Sequence, residues 1–155
     1  MSMVLNGEIR LAASQELIWE KLNEPETLKL CIPGCEELLR LSENKFGAVA
    51  IVKVGPIRAR FKGSVTLADI DPPNGYRISG EGDGGLAGFA KGGAVVRLVP
   101  KQDHILLQYS VDAQIGGKLA QLGQRLVSGT AKRLAEEFFQ KFTTVVTETS
   151  AGEAA

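Results

Sequence analysis

The C-terminal segment constrains this chain most. From Lys118 to about Thr147, the residues Leu119, Leu122, Leu126, Leu134, Phe138, Phe142 and Val145 recur at steps of three and four, with a gap around Gly129 to Ala131. Gln121, Gln124, Lys132, Glu136 and Lys141 mostly take the opposite side. That spacing predicts one amphipathic helix. About 30 residues at 1.5 Å each make a helix of roughly 45 Å, longer than the ~30 Å width of a compact domain of this size. Such a helix has to lie across whatever the rest of the chain builds and bury its apolar side there.

What precedes it alternates. Ala59, Phe61, Gly63, Val65 and Leu67 interleave with Arg58, Arg60, Lys62, Ser64 and Thr66, and Ile105, Leu107, Tyr109, Val111, Ala113 and Ile115 interleave with Leu106, Gln108, Ser110, Asp112 and Gln114. A period of two is that of a strand with one buried face. Turn signals at Glu43-Asn44, Gly55-Pro56, Pro72-Pro73-Asn74-Gly75 and Pro100 to Asp103 divide Glu36 to Ile115 into antiparallel strands. Strands of about 10–12 residues reach ~33–40 Å, matching the helix in length. Met3 to Ala12 forms a further strand, with Leu5, Gly7, Ile9 and Leu11 on one side. Ser14 then caps a short helix and Pro25 opens a second. The glycine-dense stretch Gly80 to Gly93 is expected to hold bulges and an interrupted strand. The expected fold class is α+β: a curved antiparallel sheet of six to seven strands wrapped around the long C-terminal helix, with two short helices after the first strand. Residues 1–147 form a single domain in this reading, and residues 148–155 a short flexible tail.

Composition narrows the function. The chain has 155 residues with 18 basic and 18 acidic side chains, so it lacks the basic field that nucleic acid binding requires. One His and two Cys do not supply a Cys/His zinc site, and no metal is expected. The spacing of Cys31 and Cys35 fits neither a redox motif nor a metal motif, so both read as packed thiols. The opening residues lack an apolar signal core, and no apolar run approaches ~20 residues, so a cytoplasmic location is expected.

Leu30-Cys31-Ile32-Pro33-Gly34-Cys35, after the helix start Pro25-Glu26-Thr27, resembles the family of the carbon monoxide dehydrogenase G subunit. So do Leu122-Gly123-Gln124-Arg125-Leu126 and Phe138-Phe139 in the last helix. The similarity covers about residues 3–146, and the order of elements resembles the helix-grip fold of the START and Bet v 1-like (SRPBCC) superfamily. The resemblance implies a noncatalytic accessory protein of a molybdenum hydroxylase of the carbon monoxide dehydrogenase type, acting in its maturation, membrane recruitment or electron delivery. The partner is then that hydroxylase or its maturation machinery, whose substrate need not be carbon monoxide. Members often carry a longer C-terminal extension with an apolar anchor. This sequence ends without one, so at most peripheral contact with the inner face of the cell membrane is expected.

The fold also implies room between helix and sheet. Glycine makes up 18 of 155 residues, above the usual ~7%, and Gly63, Gly80, Gly82, Ala113, Ala48 and Ala50 fall on the side facing the helix. They leave either a cavity or close backbone packing. The expected cavity lining is Leu28, Ile32, Phe61, Val65, Ile78, Phe89, Val111, Ala113, Leu122 and Leu126, with Tyr76 and Tyr109 as candidate polar contacts. A hydrophobic small molecule, a quinone or other lipid-like compound, is the expected noncovalent ligand, because the enzyme of the resemblance delivers electrons to a respiratory chain. On this reading Leu126→Trp fills the cavity and abolishes ligand retention. Leu28 to Cys35 is either a lid over one end or an ordinary helix stop. Two other functions stay open: a cyclase or hydratase acting on a hydrophobic carbonyl compound, which needs inward polar groups, and a ligand-free protein-docking module. No catalytic residue is nominated. Gly82 to Ala87 spells a dinucleotide-like G-x-G-x-x-A, but no helix follows to receive a pyrophosphate.

Overall fold

Alternating burial builds the sheet, and local caps place the helices. The computed structural model describes the backbone of residues 1–154 and the side chains of residues 1–152. In chain order the elements are β1 (Ser2–Leu11), α1 (Gln15–Leu22), α2 (Pro25–Cys31), β2 (Cys35–Ser42), β3 (Lys45–Val54), β4 (Ile57–Asp71) and β5 (Gly75–Asp83). They are followed by β6 (Phe89–Pro100), β7 (Ile105–Gly116), α3 (Lys118–Gln121) and α4 (Gln124–Ala154). The seven strands form one antiparallel sheet in the order β1-β7-β6-β5-β4-β3-β2, so consecutive strands are hairpin neighbours and only β1 arrives from a distance. Ser14 caps α1 by accepting a hydrogen bond from the Leu17 amide at 3.1 Å, and Pro25 sits in the first turn of α2, where its missing N–H costs nothing. Gly34 ends the link to β2 at φ +73, and a Cβ there would strike the Ile51 carbonyl; only glycine suits the position.

Three expectations need correction. The glycine-dense stretch is interrupted, by a 3-10 turn at Gly85–Ala87 between β5 and β6, but it holds no bulge: β5 and β6 pair without a shift from Gly75↔Arg97 to Asp83↔Phe89, and the register shifts lie instead in β2 and near Ala68 to Asp71. The C-terminal helix is two helices, broken at Gly123 with φ +95, a conformation that a right-handed helix does not contain. Finally, α4 runs through Ala154, across residues read from the sequence as a flexible tail. Extending a nucleated helix fixes one residue per hydrogen bond gained, so the helix continues although Thr149, Ser150 and Gly152 are weak helix formers.

The helix α4 approaches the sheet at β1 and β3, near its two edges, and meets α1 and α2 at one end. It bridges the curved sheet like a bar across a trough. The packed core is correspondingly divided. One cluster, around Leu11, Ile18, Phe46, Leu107, Phe142 and Val146, fills the end next to α1 and α2. A second, around Met3, Val54, Ala59, Ile115, Leu119 and Val127, fills the end next to α3.

Candidate functional site: an apolar lumen under the long helix

Between the two clusters lies a lumen made of adjoining hollows. Next to α2 is an aromatic chamber of about 270 Å³, with Phe46, Tyr76, Tyr109, Phe138 and Phe139 among its walls and Leu28 and Ile32 from α2 and its C-terminal end. Near α3 is an aliphatic chamber of about 310 Å³, walled by residues such as Val52, Val54, Ile115, Leu119, Val127 and Leu134. A middle hollow of about 360 Å³ shares Val65, Ile78, Ala94 and Val111 with the first and Phe61, Gly82 and Ala90 with the second. It touches no residue of α4; it is the floor of the trough.

Strand register explains the bare floor. Side chains directly opposite one another across antiparallel strands share a face. One inward row runs Ala48↔Gly63↔Gly82↔Ala90, and the next contains Gly80↔Gly92↔Ala113. Where the two rows cross β5 and β6 they present almost no side chain; on β4 and β3 the second row continues into Val65 and Phe46. The glycines serve two purposes. At Gly63 and Gly92 a Cβ would collide with the backbone of the neighbouring strand, at the Glu81 and Asp112 carbonyls, so these allow close strand approach. At Gly80 and Gly82 the nearest atoms to such a Cβ lie at 3.4 and 3.5 Å, ordinary contact, so strand approach does not require glycine at these two.

The two tyrosines differ. Tyr76 is 5% exposed, its hydroxyl donates to the Leu22 carbonyl at 3.2 Å, and Trp19 packs on its ring at 5.3 Å. Burial pushes its phenol well above the usual range. Tyr109 stacks on Phe139 at 4.8 Å, and its ring lies over Gly7, where a Cβ would overlap the phenol. Burial, aided by the charge of Glu136, raises its phenol, which stays a neutral donor at pH 7. No described residue hydrogen-bonds the Tyr109 hydroxyl, which is not fully buried and lies over Gly7 of β1, at the β1 side of the aromatic chamber. The remaining polar candidates lie elsewhere. His104 contacts Asp103 at 2.6 Å and Arg10 at 3.4 Å at a strand turn, and Asp112 is exposed, accepting from the Gly93 amide. Cys31 is fully buried and Cys35 half-buried, and burial pushes both thiols up, away from the reactive thiolate. Among the described residues there is no cluster of His, Cys, Asp or Glu suited to a metal ion and no helix long and apolar enough to cross a membrane.

A family model for CoxG, the G subunit of carbon monoxide dehydrogenase, matches residues 7–147. The chain belongs to this family. No relative with a curated description matches. Among solved structures, a conserved protein from Geobacillus kaustophilus is 32% identical, covering 95% of this chain and 97% of its own, with a TM-score of 0.88. A START superfamily protein from Mycobacterium smegmatis is 16% identical over 94% of this chain and 98% of its own, with a TM-score of 0.71. The Zhui aromatase/cyclase from Streptomyces sp. R1128 is 12% identical over 95% and 94%, with a TM-score of 0.68. The last two likenesses are of fold alone, and that fold is the START and Bet v 1-like helix grip.

Within this CoxG-family fold, the structure gathers Leu28, Ile32, Val65, Tyr76, Ile78, Tyr109 and Val111 around the aromatic chamber, and Phe61 and Ala113 around the middle hollow. It places three of the expected lining residues elsewhere. Phe89 is 49% exposed on the convex face, its ring over Gly116, because β6 turns its even positions inward and a shift of one residue reverses a strand's faces. Leu122 caps α3 and packs beside the second cluster. Leu126 is 39% exposed next to Gly55. The break at Gly123 resets the phase of the helix, and the inward residues become Val127, Leu134, Phe138 and Phe142. Leu126→Trp therefore adds bulk outside the lumen, and the loss of ligand expected of it does not follow. Phe46, Leu38, Ala94 and Ala135 also wall the aromatic chamber, although the sequence pattern does not single them out; strand pairing and the true helix phase are what identify them.

Proposed function

We propose that this protein is a noncatalytic accessory protein of a molybdenum hydroxylase of the carbon monoxide dehydrogenase type, and that it carries a hydrophobic small molecule, a quinone or lipid-like compound, in the lumen beneath α4. The observation that carries the reading is the lumen itself: a largely apolar space bridged by a helix that stands off the middle strands, with the unpaired hydroxyl of Tyr109 beside its aromatic chamber. Burial of apolar ligand surface at ~25 cal/mol per Å² supplies most of the affinity, and Tyr109 supplies one directional hydrogen bond to a carbonyl or similar acceptor. Family membership supports the accessory role. A cyclase or hydratase needs acid and base groups within hydrogen-bond reach of a bound carbonyl; His104 is at a strand turn, and Asp112, which borders the middle hollow, has its carboxylate engaged by the Gly93 amide. The partner in this reading is the hydroxylase, met in the cytoplasm or at the inner membrane face.

Native mass spectrometry of protein purified without detergent tests the carrier reading. The expected spectrum contains an adduct of lipid-like mass that organic extraction removes and that added 2-methyl-1,4-naphthoquinone derivatives restore. A bare polypeptide mass in fresh preparations, together with no uptake of any added quinone or fatty acid, overturns it and leaves protein docking.

A further inference from the structure

The two ends of the lumen differ in chemistry. The α2 end is walled by stacked and edge-on rings: Tyr109 on Phe139 at 4.8 Å, and Phe138 against Phe139 at 4.9 Å with planes 89° apart. Aromatic walls of this kind favour a flat ring; the Tyr109 hydroxyl lies at their β1 side, over Gly7. The α3 end has mostly Val, Leu, Ile, Ala and Met walls, with Phe61 shared with the middle hollow, suited to an alkyl or isoprenoid chain. Neither chamber exceeds about 310 Å³, at the small limit of the ~300–1,000 Å³ usual for ligand sites. A ligand of lipid size has to occupy both.

The passage between them is the bare floor. Along β5 the inward residues run Tyr76, Ile78, Gly80, Gly82, from full aromatic bulk to none. From Tyr76 to Gly82, at ~3.3 Å per residue, this gallery is about 20 Å long. Gly63 and Gly92 are held as glycine by their neighbours' backbones, whereas a Cβ at Gly80 or Gly82 would make only ordinary contact, with Val65 and Phe61 respectively. A Cβ therefore fits at these two positions without moving backbone, and a longer side chain carried on it would extend into the gallery.

We infer that the ligand is a ring-headed lipid lying lengthwise, its ring in the aromatic chamber and its tail crossing Gly80 and Gly82 into the aliphatic chamber, and that these two glycines set the tail length the protein accepts. This rests on the carrier reading and adds orientation, ligand class and two specificity-determining residues to it.

The test compares wild type with the Gly80→Leu/Gly82→Leu double variant. Each is titrated with 2-methyl-1,4-naphthoquinone, which has no tail, and with its 3-geranylgeranyl derivative. Quenching of Trp19 fluorescence reports both, since Trp19 packs on Tyr76 in the wall of the aromatic chamber. Wild type is expected to bind the tailed quinone at least tenfold more tightly. The double variant should bind the tailless quinone within twofold of wild type, which also shows that it is folded, while its affinity for the tailed one falls at least tenfold. Leu126→Trp, outside the lumen, should change neither. Unchanged binding of the tailed quinone by the double variant overturns the orientation. So does an equal loss for both quinones in a variant with wild-type circular dichroism. Both results leave the carrier reading standing. No binding of either quinone by wild type overturns the ring-headed ligand, and the carrier reading falls with it only if native mass spectrometry also finds no lipid.

Discussion

Tyr76 and Tyr109 share one cross-strand row, joined through Val96 between them, yet they do different work. Tyr76 anchors α1: its hydroxyl satisfies the Leu22 carbonyl in a buried setting. Tyr76→Phe should therefore lower stability by about 1–2 kcal/mol, the cost of leaving a buried acceptor unpaired, as read from urea unfolding. Tyr109→Phe should stay within ~0.5 kcal/mol, because no protein partner is lost; its effect belongs in ligand affinity. Nothing in the sequence separates the two, since the difference is made by where α1 ends in space. At the start of α2, the hydrogen bond from Thr27 Oγ1 at 2.7 Å is the main cause holding the Glu24 carboxyl below its ordinary value of 4.5, with the Lys21 ammonium assisting against partial burial. A carboxyl lowered in the folded state adds stability that is present above its unfolded pKa and lost as pH falls through the folded one. Thr27→Val removes the principal contact. The stability gap between wild type and this variant should be widest above pH 4.5 and narrow on further acidification; a gap that stays constant from neutral to strongly acidic pH contradicts the assignment.

At the scale of elements, period was legible and phase was not. The 3.6-residue recurrence located a long C-terminal helix, and the alternation of β4 and β7 located their inward faces. A glycine, however, is compatible both with a helix interior, at a cost of ~1 kcal/mol, and with a helix break. The chain contains both kinds: Gly129 and, near the end, Gly152 lie within α4 with nothing near the missing side chain, and Gly123 breaks the helix at φ +95. Reading across Gly123 as if it were helical carried the wrong phase onto Leu122 and Leu126, while the more distant Phe138 and Phe142 fell on the buried side regardless. Gly129 and Gly123 should therefore respond oppositely to alanine. Gly129→Ala should raise the urea midpoint by the equivalent of about 0.5–1 kcal/mol, and Gly123→Ala should lower it by about 1–2 kcal/mol for forcing an L residue into left-handed geometry. Stabilisation by both would mean that α3 and α4 are one continuous helix in solution.

For the whole molecule, the split core and the lumen are two aspects of one design. A helix longer than the sheet is deep can rest on both edges and on α1 and α2 without filling the middle, provided that the middle strands present no side chains there. The paired rows of Gly and Ala, Ala48↔Gly63↔Gly82↔Ala90 beside Gly80↔Gly92↔Ala113, meet that condition. They become visible in the sequence only once the hairpin registers are known, which is why small inward residues could be noticed individually while the gallery they form could not. An empty lumen forgoes the dispersion contacts that a filled one would have, so stability should depend on occupancy. A ligand that binds only the folded state at a free concentration 100 times its dissociation constant adds about 2.7 kcal/mol, or roughly 5–11 °C in Tm for a domain of this length. Delipidated protein scanned with increasing geranylgeranyl naphthoquinone should show Tm rising with the logarithm of ligand concentration. The Gly80→Leu/Gly82→Leu variant, with part of the void filled by its own side chains, should lose most of that dependence. A Tm indifferent to ligand in both proteins would mean that the lumen is not where the quinone binds.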